Sequence, residues 1–262
     1  MAQEQRSLGI IGGSGMLGVA LLRAVLGQES LQGGWQVTIS NRSGVAPDWA
    51  AGVAVTTSHA ELAAGCDTVL LCLPPAVFAD MELDLSGKLV ISVMAGVDLA
   101  ALQVQTGASR VVRAMSSPAA AQGLAYSPWV GSAAVDSADR QLVIQLFEAC
   151  GATDEIAEEP LLDHFTAMTG PVPGFVAFFA EAMINHATAQ GIPPEIADRA
   201  IRQLFLASGQ MLAEGASAAE HVQGMVDYAG TTAAGLEAMR ASPLAELISA
   251  GLTAAAQKAR EI

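Results

Sequence analysis

The stretch Leu8-Gly9-Ile10-Ile11-Gly12-Gly13-Ser14-Gly15-Met16-Leu17-Gly18 decides the fold of this chain. An apolar run ends in a glycine cluster in which Gly13, Gly15 and Gly18 hold the G-x-G-x-x-G spacing. In that pattern one glycine makes a tight strand-to-helix turn, one lets the backbone approach a pyrophosphate, and one lets helix pack on strand. The helix that follows would aim its N-terminal amides at the phosphates. In a chain with 26 glycines the spacing alone says little, and its weight comes from the flanks. Met16 to Leu26 places Leu17, Leu21 and Val25 on one helical face, and Trp35 to Ser40 reads as a second strand, so the opening is a βαβ unit.

Such a unit meets the adenosine ribose just after its second strand, and an NAD site usually carries an acid there. Ser40-Asn41-Arg42-Ser43-Gly44 has none. Arg42, with Ser40, Asn41 and Ser43, suits a 2′-phosphate, which points to NADPH; taken alone, Arg42 reads better as a solvated turn residue, and it is its place about 24 residues after Gly18 that favours the phosphate.

The strand-helix alternation continues. Val53 to Thr56 is a short strand, Ser58 caps a short helix, and Thr68 to Leu73 is an uninterrupted apolar run of the kind buried on both faces of a parallel sheet. Pro74-Pro75 ends it at the sheet edge where ligands bind. Leu89 to Met94 is another buried strand, closed by Ala95-Gly96, whose small side chains admit a flat ring. Val111 to Met115, Tyr126 to Gly131, a helix over Ser137 to Cys150 and a strand over Ala152 to Ile156 complete the first domain.

From about Leu161, beyond the acidic segment Asp154 to Pro160, the pattern becomes almost wholly helical. Helices are expected over Phe175 to Gln190, Pro194 to Glu214, Ala218 to Val226, Thr231 to Ala241 and Pro243 to Ile262, with Gly191 and Gly215 as C-terminal caps. The expected organisation is a dinucleotide-binding domain over 1–158 and a helical substrate and dimerisation domain over 159–262. Phe175, Phe178, Phe179, Ala182, Met183 and Ala187 make the first long helix apolar over more of its circumference than a small domain covers, so it is expected to pair with a second subunit.

Twelve basic residues against 26 acidic ones give a net charge of −14, which argues against nucleic acid or an anionic membrane surface as partner. No apolar run reaches the length of a membrane span, and the N-terminus lacks a signal-peptide pattern, so a cytoplasmic protein is expected. Cys66, Cys72 and Cys150 have no metal-ligand spacing, nor do His59, His164, His186 and His221, and no metal is expected. His164, with Asp163 beside it, reads either as a proton donor or as a surface or interdomain histidine.

Five stretches together, LGIIGGSGMLG at 8–18, SNRSG at 40–44, LVISVMAGVDLAAL at 89–102, RVVRAMSSPAAAQG at 110–123 and MVDYAGTTAAGLEAM at 225–239, resemble the pyrroline-5-carboxylate reductase family over nearly the whole chain. The resemblance implies a Rossmann-type parallel-sheet domain followed by a helical domain that dimerises by interlocking, with dimers able to assemble further. It implies NADPH-dependent reduction of a cyclic imine carboxylate, 1-pyrroline-5-carboxylate, to proline. For the cofactor it implies Gly13, Ser14, Gly15, Met16 and Leu17 at the pyrophosphate and Asn41, Arg42 and Ser43 at the 2′-phosphate. Cys72, Leu73, Pro74 and Pro75 match the cofactor-lining loop, and Met94, Ala95 and Gly96 the segment beside the nicotinamide. Thr232 matches the hydrogen-bond partner of the imine nitrogen, with Thr231 and Tyr228 beside it as catalytic candidates and Asp227, Gly230, Met115 and Ser116 as substrate contacts.

The departures gather at the substrate end. Asp227-Tyr228-Ala229-Gly230 stands where the family has a serine-proline-glycine-glycine loop, and Ser116-Ser117-Pro118 where it has proline-asparagine-threonine-proline. The family's glycine-serine-glycine-proline turn is here Gly170-Pro171-Val172-Pro173.

Imine reduction needs a positioned hydride donor and a hydrogen bond at nitrogen rather than a metal or a covalent nucleophile. Gly230-Thr231-Thr232 before a helix offers amides for a carboxylate and hydroxyls for a nitrogen, although Thr231 or Thr232 by itself would serve as a cap. Tyr228 and Asp227 read either as pocket groups or as a packed tyrosine and a solvated acid. Three other readings stay open: a β-hydroxyacid dehydrogenase, weakened because the only lysines are Lys88 and Lys258; a paralogue acting on another imine or a keto compound; and a non-catalytic NADPH-binding protein.

Overall fold

Short apolar runs with opposite faces both buried form the first half of the molecule. The structure, a computed structural model, describes residues 6–27, 35–50 and 52–261. In it β1 (Arg6–Ile11), α1 (Met16–Gly27) and β2 (Trp35–Ser40) make the expected βαβ opening. β3 (Ala54–Thr56), α2 (His59–Gly65), β4 (Thr68–Leu71), α3 (Pro75–Ala79), β5 (Leu89–Ser92), α4 (Leu99–Thr106) and β6 (Arg110–Ala114) follow. After a 3-10 turn at Pro118–Gln122 come β7 (Ala125–Tyr126), β8 (Trp129–Gly131), α5 (Ser137–Glu148), β9 (Gly151–Ala152) and α6 (Leu161–Met168).

The main sheet has the order β3-β2-β1-β4-β5-β6-β8, parallel except for β8, which runs antiparallel to β6. The chain reverses direction across the sheet between β1 and β4, the switch point where dinucleotide folds bind their ligand. Pleating divides each strand between two cores: Val69 and Leu71 of β4 pack under α2 and α4, while Leu70 packs with α1 and α5. This explains why the strands read as continuous apolar runs rather than as alternations.

Three details differ from expectation. The run Tyr126 to Gly131 is two strands, because Pro128 has no amide to donate and the chain passes from a small β7–β9 pair to the edge of the main sheet. The strand expected over Ala152 to Ile156 is short; beyond Ala152 the backbone follows Trp129 through bonds from Trp129 N to Asp154 O and from Ile156 N to Trp129 O. Helices α3 and α4 are additional, α4 being capped by the Asp98 side chain on the Ala101 amide.

The chain divides into two compact units, Met1–Pro171 with Thr253–Ile262 and Val172–Leu252. This division falls later than the 158/159 boundary expected from composition, because α6 belongs to the first unit's core. Leu162 packs with Met115 and Val130, and Phe165 lies against them.

In the second unit α7 (Gly174–Ala189), α8 (Pro194–Ala213), α9 (Ala218–Asp227), α10 (Thr231–Arg240) and the start of α11 (Leu244–Arg260) are the expected helices. Ile262, where the last was expected to end, lies outside the described residues. α7 packs on α8 and α9 on α10, yet between Val172 and Leu252 only Ala197 and Ala233 are buried. No helix among the described residues is long and apolar enough to cross a membrane.

The glycine turn yields a stability prediction. A Cβ on Gly18 would lie 2.3 Å from the Gly12 carbonyl oxygen and 2.9 Å from Gly13 Cα, both backbone atoms, whereas one on Gly27 meets nothing within 4 Å. Gly18→Ala is expected to lose about 1–3 kcal/mol in urea denaturation, the usual range for overpacking. Gly27→Ala, in the same helix, is expected to leave the midpoint unchanged or raised.

Candidate functional site

The carboxyl ends of β1, β4, β5 and β6 carry most of the residues singled out from the sequence. Gly12, not Gly13, supplies the positive φ of the turn, at 86°. A side chain there would strike the Cys72 carbonyl oxygen at 2.5 Å, so the backbones after β1 and β4 meet almost directly. Gly13 is needed because Ile39 of β2 crowds it at 2.9 Å. Gly15 is different. A Cβ on it would meet only the Gly12 carbonyl, at 3.4 Å, and Ser14, Gly15 and Met16 are exposed. The outer face of the turn is therefore open to a phosphate group, next to first-turn amides of α1 that lack intrahelical acceptors.

The loop after β2 is shaped by Asn41. Its Oδ1 accepts from the Gly44 amide at 2.8 Å and the Ser43 hydroxyl at 3.1 Å, and its Nδ2 donates to the Val45 carbonyl at 2.9 Å. Asn41 is itself buried, so it builds the loop, while Arg42 and Ser43 are exposed on it. Arg42 makes no ion pair among the described residues. Ser40 is not available to a phosphate: it is fully buried, with Oγ 2.8 Å from His59 Nδ1. Burial lowers the His59 pKa, which disfavours the charged ring in that contact.

Cys72 and Leu73 stand against the glycine turn, and Pro74 and Pro75 begin α3. Burial pushes the Cys72 thiol far above its ordinary value, with the neighbouring Cys150 adding to the effect, and Cys150 rises to about 12. Both are unreactive packing thiols.

Beside the turn lies a cleft of about 340 Å³, wholly within the first unit, which gathers the expected Met16, Leu17, Met94, Ala95, Met115 and Ser116. Gly96 follows with φ at 72°, turning the chain away after Ala95. The Pro118 turn closes one side by packing on α1, and Leu162 and Thr166 of α6 close another.

Sequence reasoning missed Arg113, which also lines this cleft. Its side chain is 7% exposed, with Nη1 3.2 Å from Glu159 Oε1 and Nη2 2.9 Å from Asp163 Oδ1. Glu159 Oε1 also accepts from the Leu99 amide at 2.8 Å, and Asp163 Oδ2 lies 3.4 Å from Arg260. His164, singled out with Asp163, sits with Nε2 3.1 Å from Arg260 Nη2 on the surface. The signal in the sequence was a charge inside an apolar strand, Arg-Val-Val-Arg-Ala, followed by two acids some fifty residues later.

The second unit holds the remaining candidates. Gly230 is the N-cap of α10, and no side chain caps it, so neither Thr231 nor Thr232 is used for capping and both are exposed. Asp227 accepts from Gln223 at 2.8 Å, Tyr228 is 84% exposed, and Ala229 takes a left-handed conformation with φ at 55°. The α10 amides are thus unpartnered by side chains, beside two free hydroxyls and a free phenol.

A glycine turn at the switch point of a 3-2-1-4-5-6 sheet, joined to a helical second unit, defines a dinucleotide-dependent oxidoreductase class. Two family models match: one described as "Pyrroline-5-carboxylate reductase dimerisation" over residues 159–262, the other as "NADP oxidoreductase coenzyme F420-dependent" over residues 7–96. Pyrroline-5-carboxylate reductase 3 of Macaca fascicularis is 30% identical over 221 residues, 81% of this chain and 80% of that one. The pyrroline-5-carboxylate reductase of Synechocystis sp. is 26% identical over 97% of each chain. A solved 1-pyrroline-5-carboxylate reductase from Streptococcus pyogenes superposes with a TM-score of 0.80 at 25% identity, covering 98% of both chains. The chain belongs to the pyrroline-5-carboxylate reductase family.

The ion-pair network at the cleft wall can be tested directly. Arg113→Met leaves Glu159 and Asp163 without their shared cation, and chemical denaturation is expected to show a loss of about 3–5 kcal/mol, as when one partner of a buried pair is removed. Adding Glu159→Gln and Asp163→Asn to that variant is expected to restore part of the loss.

Proposed function

We propose that this protein reduces 1-pyrroline-5-carboxylate to proline with NADPH. The observation that carries the reading is the cleft at the sheet's carboxyl edge, which lies beside the exposed turn at Gly15 and brings Met94 and Ala95 together with Met115 and Ser116. Family membership supports it, and the relatives named above are themselves called pyrroline-5-carboxylate reductases.

The residues fit the cofactor. Gly13, Ser14, Gly15, Met16 and Leu17 would hold the pyrophosphate through open backbone and first-turn amides. Asn41 fixes the loop from which Arg42 and Ser43 would take the 2′-phosphate, where a guanidinium binds an anion most strongly. Cys72 to Pro75, of which Cys72 and Leu73 stand against Gly12, would line the cofactor crevice, and Met94, Ala95 and Gly96 would lie along the nicotinamide. When bound, NADPH supplies the hydride for the C=N carbon.

On the substrate side, the uncapped amides of α10 at Gly230 offer the arrangement that binds a carboxylate. The Thr232 hydroxyl would hydrogen-bond the imine nitrogen, with Thr231 and the exposed Tyr228 as the neighbouring donors and Asp227 and Gly230 as contacts. Met115 and Ser116 close the cleft at the reacting end. Most of the acceleration in such a reaction comes from orientation and from excluding water, and the apolar cleft wall serves both.

The acting form would be a homodimer through the 159–262 region, able to assemble further. What supports this is the near absence of buried residues in the second unit and the exposure of Phe178, at 68%, and of Val176 and Met183 on α7. We place the enzyme in the cytoplasm, where its three unpaired cysteines would stay reduced. Small molecules are its partners; neither nucleic acid nor membrane suits its charge of −14.

The altered segments Asp227 to Gly230 and Ser116 to Pro118 favour a second reading, a paralogue reducing another imine or a keto compound. Steady-state rates with NADPH over a panel of cyclic imines and ketones decide between them. We expect the highest kcat/KM with pyrroline-5-carboxylate; a higher value for another substrate selects the paralogue. Arg42→Ala is expected to weaken NADPH binding by roughly 10–100-fold, the worth of charge-assisted bonds, with NADH affinity little changed. Equal losses for both cofactors would remove Arg42 from the 2′-phosphate. In sedimentation, Phe178→Glu is expected to shift the dimer to monomer, and an unchanged dimer would place the contact elsewhere.

A further inference from the structure

The cleft wall carries three polar side chains, of which one is charge-paired and one bonded within its own helix. Arg113 is matched by Glu159 and Asp163, and the Thr166 hydroxyl donates to the Leu162 carbonyl at 2.8 Å. The third is Ser116, whose Oγ lies 2.9 Å from Ser127 Oγ. Ser127 does not touch the cleft. It is fully buried, its amide donates to Ala152 O at 2.8 Å, and its carbonyl accepts from the Thr153 hydroxyl at 2.6 Å.

This locked position settles which serine donates. Among the described residues the Ser127 hydroxyl has no side-chain or backbone partner other than Ser116 Oγ. Were Ser116 the donor, the Ser127 proton would be stranded where neither protein nor water can accept it, an arrangement folded proteins avoid. Ser127 therefore donates, which leaves the proton of Ser116, a residue of the cleft lining, available to a ligand there.

We propose that Ser116 Oγ–H, the neutral hydroxyl donor of the cleft whose proton no bond among the described residues uses, holds the carboxamide oxygen of the nicotinamide ring, and that Ser127 is the positioning residue that aims it. The reading rests on NADPH as cofactor. The remaining wall, with Met94, Ala95, Met115 and Pro118, is apolar, and a slot with apolar sides and one neutral donor matches a flat ring bearing one carbonyl. A substrate carboxylate suits these surroundings less, because Arg113, the cation of the wall, already faces the carboxylates of Glu159 and Asp163. Anchoring the carboxamide would fix how the ring is turned in the slot. Ser116 is thereby assigned to the cofactor rather than to the imine.

The test compares two ligands that differ only by the ring: NADPH, followed by its fluorescence, and 2′-phospho-ADP-ribose, followed by calorimetry. In Ser116→Ala, NADPH affinity is expected to fall about tenfold, the upper end for one neutral hydrogen bond, with 2′-phospho-ADP-ribose affinity unchanged. Ser127→Ala is expected to show the same selectivity with a loss of a few-fold, and Ser116→Thr to retain NADPH affinity. A merely structural role would weaken both ligands together and so overturn the assignment. Unchanged NADPH affinity in Ser116→Ala, with a rise only in the KM of the imine, would overturn it as well. Failure of the unaltered protein to bind either ligand would instead remove the cofactor reading itself.

Discussion

Everything at the ligand edge depends on how closely two backbones approach between β1 and β4. The carbonyl of Cys72 occupies the space where Gly12 would carry a side chain, and the carbonyl of Gly12 occupies the corresponding space at Gly18. Strand, turn, helix and neighbouring strand are thus in contact through bare backbone, with no side chain to adjust. Such contacts do not relax easily, because what must move is the sheet itself. The gain is that α1 starts at a fixed place relative to β4 and β5, so its open amides and the Met94-Ala95 edge are held in one geometry before any ligand arrives.

The second constraint is electrostatic. Arg113 is buried at the end of β6 and is neutralised only by acids that come from the far side of the domain boundary expected from composition. Buried ion pairs of this kind add little net stability over apolar packing but are costly to break, so they specify an arrangement more than they strengthen it. Here they specify that α6, the start of α4 and the last turn of α11 gather at one wall of the cleft. The domain whose sequence looks helical therefore lends its first helix and its final turn to the sheet domain, which is why contacts divide the chain at Val172 while the family model begins at residue 159.

What could be read from the sequence follows from the range of the interactions involved. Strands such as Thr68 to Leu71 and helices such as Pro194 to Ala213 are encoded by periodicity within a few residues, and they stand close to where the pattern put them. The place of the Arg42 loop after β2 was legible as well, because the loop is built by adjacent residues around Asn41. Which glycine takes the positive φ was not: Gly12 and Gly13 are equivalent in the string and are separated only by the packing of Cys72 against one and Ile39 against the other. Arg113 showed itself as an anomaly without a partner, since Glu159 and Asp163 are brought to it by tertiary structure. Ser127 left no local trace at all. Ser40 reversed its expected role for the same reason, since His59 claims its hydroxyl from a different element.

The second unit carries a different consequence. With only Ala197 and Ala233 buried between Val172 and Leu252, its helices gain little from one another, and helices of this length are marginal without an apolar surface to cover. If the homodimer proposed above covers their apolar faces, their order is a property of the assembled species rather than of the single chain. For such a protein the melting temperature is a function of protomer concentration, and dilution acts as a denaturant. Under the assignments proposed above, the threonine loop at the start of α10 depends on assembly and the glycine turn does not, so dilution separates dinucleotide binding from turnover.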